Sequence, residues 1–327
     1  MFTFLVISYN EEDVIIQTLE SIRYQIVQYS GKEEIQLIIA DDGSKDHTTD
    51  VVDDWIERNK KLFSEVTKIY HKNNVVTSKN YATAVREIHG AHFISLAGDD
   101  LLPANDLFGL IRENETVDII AGGILMFQDG RILEKDSHYM DIFAQSIVNH
   151  KYLRWAMKLG CPIQAGAIWK KELVNEADLK FTEQFKLLED RSLYYRIDMK
   201  KKAFTYNYVN QPILLYRKSN SSVSSGNQKY LKMLNQDMAR LYLIGEHETK
   251  NPFMKMAFLF QYGAVHLRGN KKVGILRYAT PYFFVEQIRR GIFYKKFENL
   301  QRELIGKYKI QNQQLYDKVS GNNENTK

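Results

Sequence analysis

Along the first hundred residues, short apolar runs of β-favouring residues alternate with stretches whose apolar positions recur at helical spacing. Residues 2–8 are apolar throughout most of their length, and over 11–24 Val14, Ile15, Thr18, Leu19 and Ile22 share one helical face. A second strand is expected at 35–40, then a helix over 46–62 with Val51, Val52, Trp55 and Ile56 as its stripe. A third strand at 66–71, a helix over 78–88 stopped by Gly90 and a fourth strand at 92–96 continue the series. Strands and helices alternating at this period predict βαβ units: an α/β fold with a mainly parallel sheet flanked by helices. After residue 121 the pattern loosens, with short strands at 122–127 and 131–134. From about 227 it turns helical, with helices expected over 230–245, 252–267 and 281–308. The chain thus divides into an α/β domain over 1–225, a helical region over 226–319 and a polar tail over 320–327, read as disordered.

Composition narrows the class. With 327 residues, 44% hydrophobic and 12% aromatic, the chain can bury a sizeable core, which excludes disordered and collagen-like proteins. The single cysteine, Cys161, excludes a disulfide scaffold and points to a reducing compartment. The apolar start carries no basic residue and breaks at Ser8-Tyr9-Asn10-Glu11-Glu12, as a strand does and a signal peptide does not. No run of about 20 apolar residues occurs, so a cytoplasmic protein, soluble or peripheral at the inner face of the membrane, is expected. The net charge of +5 says little, but 251–300 holds Lys255, Arg268, Lys271, Lys272, Arg277, Arg289, Arg290, Lys295 and Lys296 against Glu286 and Glu298 alone.

Polar and acidic residues follow the strands that end near Ser8, Ala40 and Leu96, and in open α/β sheets that carboxyl edge is where ligands bind. Asp99-Asp100 has the donors for a hard cation shared with substrate phosphates, or else caps a helix. Asp41-Asp42-Gly43-Ser44 can accept from a base N–H or a ribose hydroxyl, or simply form a turn. Glu189-Asp190 precedes a helical stretch from Ser192 and offers a general base, or only compensates the helix dipole.

In this order, Val6-Ile7-Ser8-Tyr9-Asn10-Glu11-Glu12, Ile39-Ala40-Asp41-Asp42-Gly43-Ser44, Asn74 with Ser78-Lys79-Asn80, Leu96-Ala97-Gly98-Asp99-Asp100 and Glu189-Asp190 resemble the motif series of the family 2 inverting glycosyltransferases of GT-A fold, of the bacterial polysaccharide or capsule type. The resemblance covers about 1–225. It implies a nucleotide-sugar donor, usually a UDP-sugar, with Mg2+ or Mn2+. Ser8, Tyr9 and Glu11 would lie against the base, Asp41 would contact it, and Lys79 would join the donor-binding set. Asp99 and Asp100 would bind ribose and the metal bridging the phosphates, and Asp190 would deprotonate the acceptor hydroxyl. Arg217, in Tyr216-Arg217-Lys218-Ser219, corresponds to a basic segment covering the diphosphate, and a solvated basic loop is the alternative. Two positions depart from the family pattern: Ala97 stands where an Asp is common, and Ser219 where a His is. The residues of 160–169 would line the acceptor side, with Trp169 either stacked on a sugar or in the core.

The chemistry suits inversion: charge on the departing nucleoside diphosphate is stabilised by metal and cations while a base-activated hydroxyl attacks the opposite face. A sugar-1-phosphate nucleotidyltransferase would instead show a glycine-rich, basic first loop. A nucleotide-sugar-binding protein without turnover is the non-enzymatic alternative, and no nucleic-acid module is present. The expected acceptor is a glycan or lipid-linked glycan. Over 281–297 Phe284, Ile288 and Ile292 share a helical side flanked by Arg289, Arg290, Lys295 and Lys296, which predicts docking on an anionic membrane, with packing on the domain or a second subunit as the alternative.

Overall fold

The computed structural model describes residues 1–134, 166–199, 204–218, 228–266 and 281–321, with side chains described outside 281–297. Strands β1 (Phe2–Ser8), β2 (Ile35–Asp41), β3 (Glu65–Tyr70) and β4 (His92–Ala97) pair in parallel in the order β3-β2-β1-β4. They alternate with α1 (Ile15–Tyr29), α2 (Thr48–Asn59) and α3 (Thr77–Arg86), as the apolar periodicity predicts. Beyond β4 the sheet becomes mixed. After α4 (Leu107–Glu113) comes β5 (Ile119–Gln128), a single ten-residue strand where shorter ones were expected, with β6 (Arg131–Ile132) hairpinned onto it. β7 (Ile168–Lys170) lies antiparallel between β4 and β5. α5 (Glu176–Thr182) and α6 (Glu189–Met199) follow, and β8 (Tyr206–Arg217) pairs in parallel with β5.

β1, with its alternation, separates two apolar layers. Phe4 and Val6 face α1 and α2 through Leu19, Ile22 and Trp55, while Leu5 faces α3 through Ala82 and Val85. Truncating fully buried Leu5 to Ala would cost about 2–5 kcal/mol. Trp169 belongs to the second layer: it is 5% exposed and stacks on Tyr194 with ring centroids 5.1 Å apart. It is a core residue, not a sugar platform, because β7 inserts it between β4 and β5.

α1 begins at Ile15, one residue after the first apolar position of its pattern, and the segment before it is tied to the neighbouring loop by the Glu11 N–H, which donates to Thr48 Oγ1 at 2.7 Å. α7 (Gln228–Glu248) and α8 (Pro252–His266) pack on α5 and α6 through Phe181, Phe185, Tyr195, Met238, Tyr242 and Phe258. α9 (Pro281–Val319) starts at the expected proline but runs past 308, and its last turns place Leu304, Tyr308 and Tyr316 against Leu125, Phe127 and Leu215. Asn312 there accepts the Ala104 N–H at 2.8 Å. Among the described residues no helix is long and apolar enough to cross a membrane. The side chains of 281–297, the segments around Cys161 and Ser219, and residues 322–327 lie outside the described set.

Candidate active site

Parallel pairing in register brings Ser8 beside Asp41 and Ile7 beside Ala97, so three strand ends and their loops share one edge. Ser8 Oγ donates to Asp41 Oδ2 at 3.0 Å, and the Ser44 N–H and Oγ–H donate to the same carboxylate at 2.7 and 2.5 Å. Asp41 is 1% exposed and accepts three hydrogen bonds, which leaves acceptor capacity on its carboxylate. Asp42, which the motif reading left unassigned, accepts the Val75 N–H at 2.6 Å and fastens the third loop. Gly43, next in the chain, has φ +77° and lies so close to the 73–74 backbone that a Cβ would sit 2.6 Å from the Asn73 carbonyl carbon; only glycine fits. Asn10, also left-handed, clasps the first two loops: its N–H donates to Ser44 Oγ and its Oδ1 accepts the Lys45 N–H, both at 2.8 Å. Tyr9 stands at the rim, 38% exposed, where a planar ligand could reach its ring.

The 97–100 loop is a tight turn, with Asp100 N–H donating to Ala97 O at 3.1 Å. The Thr18 hydroxyl lies 2.7 and 2.6 Å from the carbonyls of Gly98 and Asp100 and holds the turn from α1. The next helix, α4, is capped by Asp106, whose carboxylate accepts the Gly109 N–H at 2.7 Å, so Asp99-Asp100 is no helix cap. Glu11 packs directly on Gly98: a Cβ there would lie 1.9 Å from Glu11 Oε2. That oxygen is buried without a hydrogen-bond partner. Burial pushes the Glu11 carboxyl well above the usual range, and the charges of Asp99, Asp100 and Asp41 push it further. Burial also raises Asp99, against the pull of Arg217, and raises Asp100 together with the charge of Asp99.

Arg217 is no solvated loop residue, because β8 carries it into the cluster. Its N–H donates to Asp100 Oδ1 at 2.8 Å, its Nε to Asp99 O at 2.7 Å and its Nη2 to Gln17 Oε1 at 2.6 Å. Its guanidinium carbon lies 4.5 Å from the centre of the Phe127 ring. A cavity of about 250 Å³ adjoins it, lined also by Gln128, Asp129, Lys218 and Tyr316. Among the described residues the carboxylates of Glu11, Asp41, Asp99 and Asp100 thus lie near one another with Arg217 as their partner, a cluster short of positive charge. Among the described residues no three acids, histidines or cysteines are grouped to cage an ion. Two adjacent carboxylates with a cation deficit fit the other mode, in which Mg2+ or Mn2+ takes one or two protein carboxylates and completes its shell with phosphate and water.

The acceptor candidate is held from a different side. Asp190 stands in the first turn of α6, its Oδ1 accepting the Arg191 N–H at 2.5 Å. The preceding loop is tied to α3: Ser78 N–H donates to Lys186 O at 3.1 Å, and Leu188 N–H donates to Ser78 Oγ at 3.0 Å. Two residues on, Asn80 Nδ2 donates to Ala40 O at 2.9 Å, which fixes α3 to the end of β2. The first turn of α3 therefore links the Asp41 edge to the Glu189-Asp190 pair, and Lys79, exposed between Ser78 and Asn80, projects from that link. On the other side Asp237 of α7 accepts the N–H groups of Lys186 and Leu187 at 2.7 and 2.8 Å.

Glu189 Oε2 is buried without a hydrogen-bond partner, and burial, then the Asp190 charge, push this carboxyl up to about 8. A folded value above the ordinary 4.5 means that the native state holds the proton more tightly. Its stabilising contribution is full below the ordinary value of 4.5 and is lost as pH rises from there through about 8. Unfolding midpoints of the wild type are expected to fall between pH 5 and pH 8 more than those of Glu189→Gln; parallel curves would remove Glu189 as the source.

Gln17, Thr18, Asp42 and Asp237 escaped the motif reading. Thr18 on the buried stripe of α1 was the one visible signal, since a polar residue on an apolar face needs a partner.

Comparison with known proteins places this geometry. S. aureus TarS 1–349 in complex with UDP-GlcNAc superposes with a TM-score of 0.58 at 18% identity, over 98% of this chain and 90% of that one. The UDP complex of the same protein gives 0.56 at 17% identity with the same coverage. The mannosyltransferase PcManGT from Pyrobaculum calidifontis, in complex with GDP-Man and Mn2+, gives 0.56 at 17% identity over 98% and 86%. These likenesses establish the GT-A fold. No curated protein matches the sequence. The profile described as Glycosyl transferase family 2 matches residues 3–175, more than half of the chain, and with the strand-edge carboxylates in place this protein belongs to that family of glycosyltransferases.

Proposed function

We propose that the protein transfers a sugar from a nucleotide-sugar donor, a UDP-sugar, to a hydroxyl of a glycan or lipid-linked glycan, with inversion at the anomeric carbon. The observation that carries this reading is the cluster of Glu11, Asp41, Asp99 and Asp100 around Arg217 at the carboxyl edge, with Glu189-Asp190 presented separately by α3 and α6. Ser8, Tyr9, Glu11 and Asp41 hold the nucleoside, with Tyr9 at the rim for the base, and Lys79 and Arg217 face the phosphates. Asp99 and Asp100 hold Mg2+ or Mn2+, which when bound offsets the charge of the departing diphosphate. Asp190 accepts the proton of the acceptor hydroxyl, and one base suffices for a single displacement. That TarS was obtained with UDP-GlcNAc and PcManGT with GDP-Man and Mn2+ supports the donor class and the metal. The α/β unit over 1–225 carries this chemistry, and the helices of 226–319 buttress it.

Thermal stabilisation and nucleoside diphosphate release across UDP-glucose, UDP-galactose, UDP-GlcNAc and GDP-mannose, with and without Mn2+, test the reading. Stabilisation with no turnover of any sugar would favour a binding protein instead, and no stabilisation would remove the donor assignment.

The place of action is the inner face of the cell membrane. On α8 Phe253 is 76% exposed, and Met256, Leu259 and Phe260 are exposed near it, next in the chain to the basic stretch that begins at Arg268. Apolar residues beside cations suit an anionic bilayer, each cation near the surface contributing about 1 kcal/mol. Flotation with anionic vesicles at low salt should carry the full-length protein, and Phe253→Ser with Phe260→Ser should weaken it. Failure to float, with concentration-dependent self-association relieved by the same substitutions, would identify the face as a homo-oligomer contact.

A further inference from the structure

The loop that leads into Glu189-Asp190 is not held by the α/β unit alone. Asp237, 7% exposed in the middle of α7, aims Oδ2 at two successive backbone N–H groups, those of Lys186 and Leu187, at 2.7 and 2.8 Å. One turn later Arg240 Nη1 donates to Gln184 O at 2.6 Å. Leu188, 1% exposed, packs in the same apolar cluster as Met238 and Leu241. From the opposite side Ser78 accepts the next N–H, that of Leu188, at 3.0 Å. Three consecutive amides, 186 to 188, are therefore pinned between α3 and α7, and the residues that follow them are Glu189 and Asp190. Asp237 thus stands as an acid on a helix side whose neighbours Met238, Leu241 and Tyr242 belong to the apolar cluster that buries Leu188, and its charge also reaches Glu189.

We infer that Asp237 is a positioning residue for acceptor activation: through its carboxylate, the C-terminal helical region sets where Asp190 stands. Charge-assisted bonds to adjacent amides fix both the height and the tilt of a loop, which a single bond cannot do. A shift of about 1 Å in a base costs about a hundredfold in rate while leaving donor contacts untouched. Among the described residues the donor cluster is tied to this loop only through α3, so kcat and donor affinity should separate. This rests on the assignment of Asp190 as the base.

The test uses the full-length protein, with UDP binding by calorimetry and nucleoside diphosphate release from the panel sugar that the wild type turns over, octyl glucoside or water supplying the hydroxyl. Asp237→Leu keeps the branched outline, though it is bulkier, and removes the acceptor. It is expected to lower kcat by about 30–100-fold with the UDP dissociation constant within about twofold, and Asp237→Asn, whose amide oxygen can still accept both N–H groups, should recover most of the loss. Should the Leu variant fail to fold, Asp237→Glu keeps the charge but lengthens the arm, and is expected to lower kcat about tenfold at unchanged UDP affinity. Wild-type kcat in a folded Leu or Glu variant, or UDP affinity falling in step with kcat, overturns the inference. Asp190→Asn measured alongside separates the two readings: activity retained there removes the base assignment, whereas an inactive Asp190→Asn beside a fully active Asp237→Leu removes only the positioning role.

Discussion

Asp190→Asn is expected to lower turnover by about a hundredfold or more, the scale of a positioned general base, with UDP affinity nearly unchanged. The substitution is nearly isosteric, and the amide oxygen can still accept the Arg191 N–H that Asp190 accepts at 2.5 Å, so the helix start should survive. What disappears is the ability to take a proton from the acceptor. The loop before Asp190 is bonded to Ser78 and Asp237, not to Asp41, Asp99 or Asp100, which is why binding and chemistry should separate. Steady-state kinetics with UDP calorimetry checks this. An Asn variant as active as wild type would move the base to Glu189, whose buried Oε2 has no hydrogen-bond partner.

Chelation of divalent cations is expected to weaken UDP binding by tenfold or more, about 1.4 kcal/mol or above. The diphosphate would otherwise approach Glu11, Asp41, Asp99 and Asp100 with Arg217 as the cation already bonded among them. Asp99→Asn and Asp100→Asn should each reduce the gain in UDP affinity on adding Mn2+. Asp100→Ala is the poorer probe, because it also strands the Arg217 N–H that Asp100 accepts at 2.8 Å, at a cost of about 1–3 kcal/mol. UDP binding that is equal in EDTA and Mn2+, and unaffected by both Asn variants, would remove the metal from Asp99 and Asp100. With Ala97, exposed at the end of β4, in place of an acid, a metal held by this motif would have only the two later carboxylates, so the Asn effects should be large.

Much of this was legible in one dimension. The period of apolar residues over 2–97 corresponds to β1, α1, β2, α2, β3, α3 and β4, because each of these elements buries a stripe or a face and burial imposes its own spacing. The acids after β1, β2 and β4 could be assigned to one edge for the same reason: parallel strands end on the same side. Order and spacing of the five motifs were enough to identify the family, which the profile over 3–175 shows independently.

Tertiary structure decided what short-range pattern cannot encode. β7 has three residues and β8 pairs with β5 across a register shift at Gly122–Ile124, so neither carries a clean alternation, and the fate of Trp169 and Arg217 depended on both. Whether Asp99-Asp100 caps a helix was settled 6 residues further on, by the Asp106 cap of α4. The partners that hold the site, Thr18 for the 98–100 turn, Gln17 for Arg217 and Asp237 for the 186–188 loop, lie 80, 200 and about 50 residues away in sequence. Sequence alone determined the fold class, the family and the edge on which the candidate site residues after β1, β2 and β4 sit, because burial periodicity and motif order are local. Orientation was left to the tertiary structure, because a buried polar group is satisfied by whichever donor the packing of distant helices delivers to it.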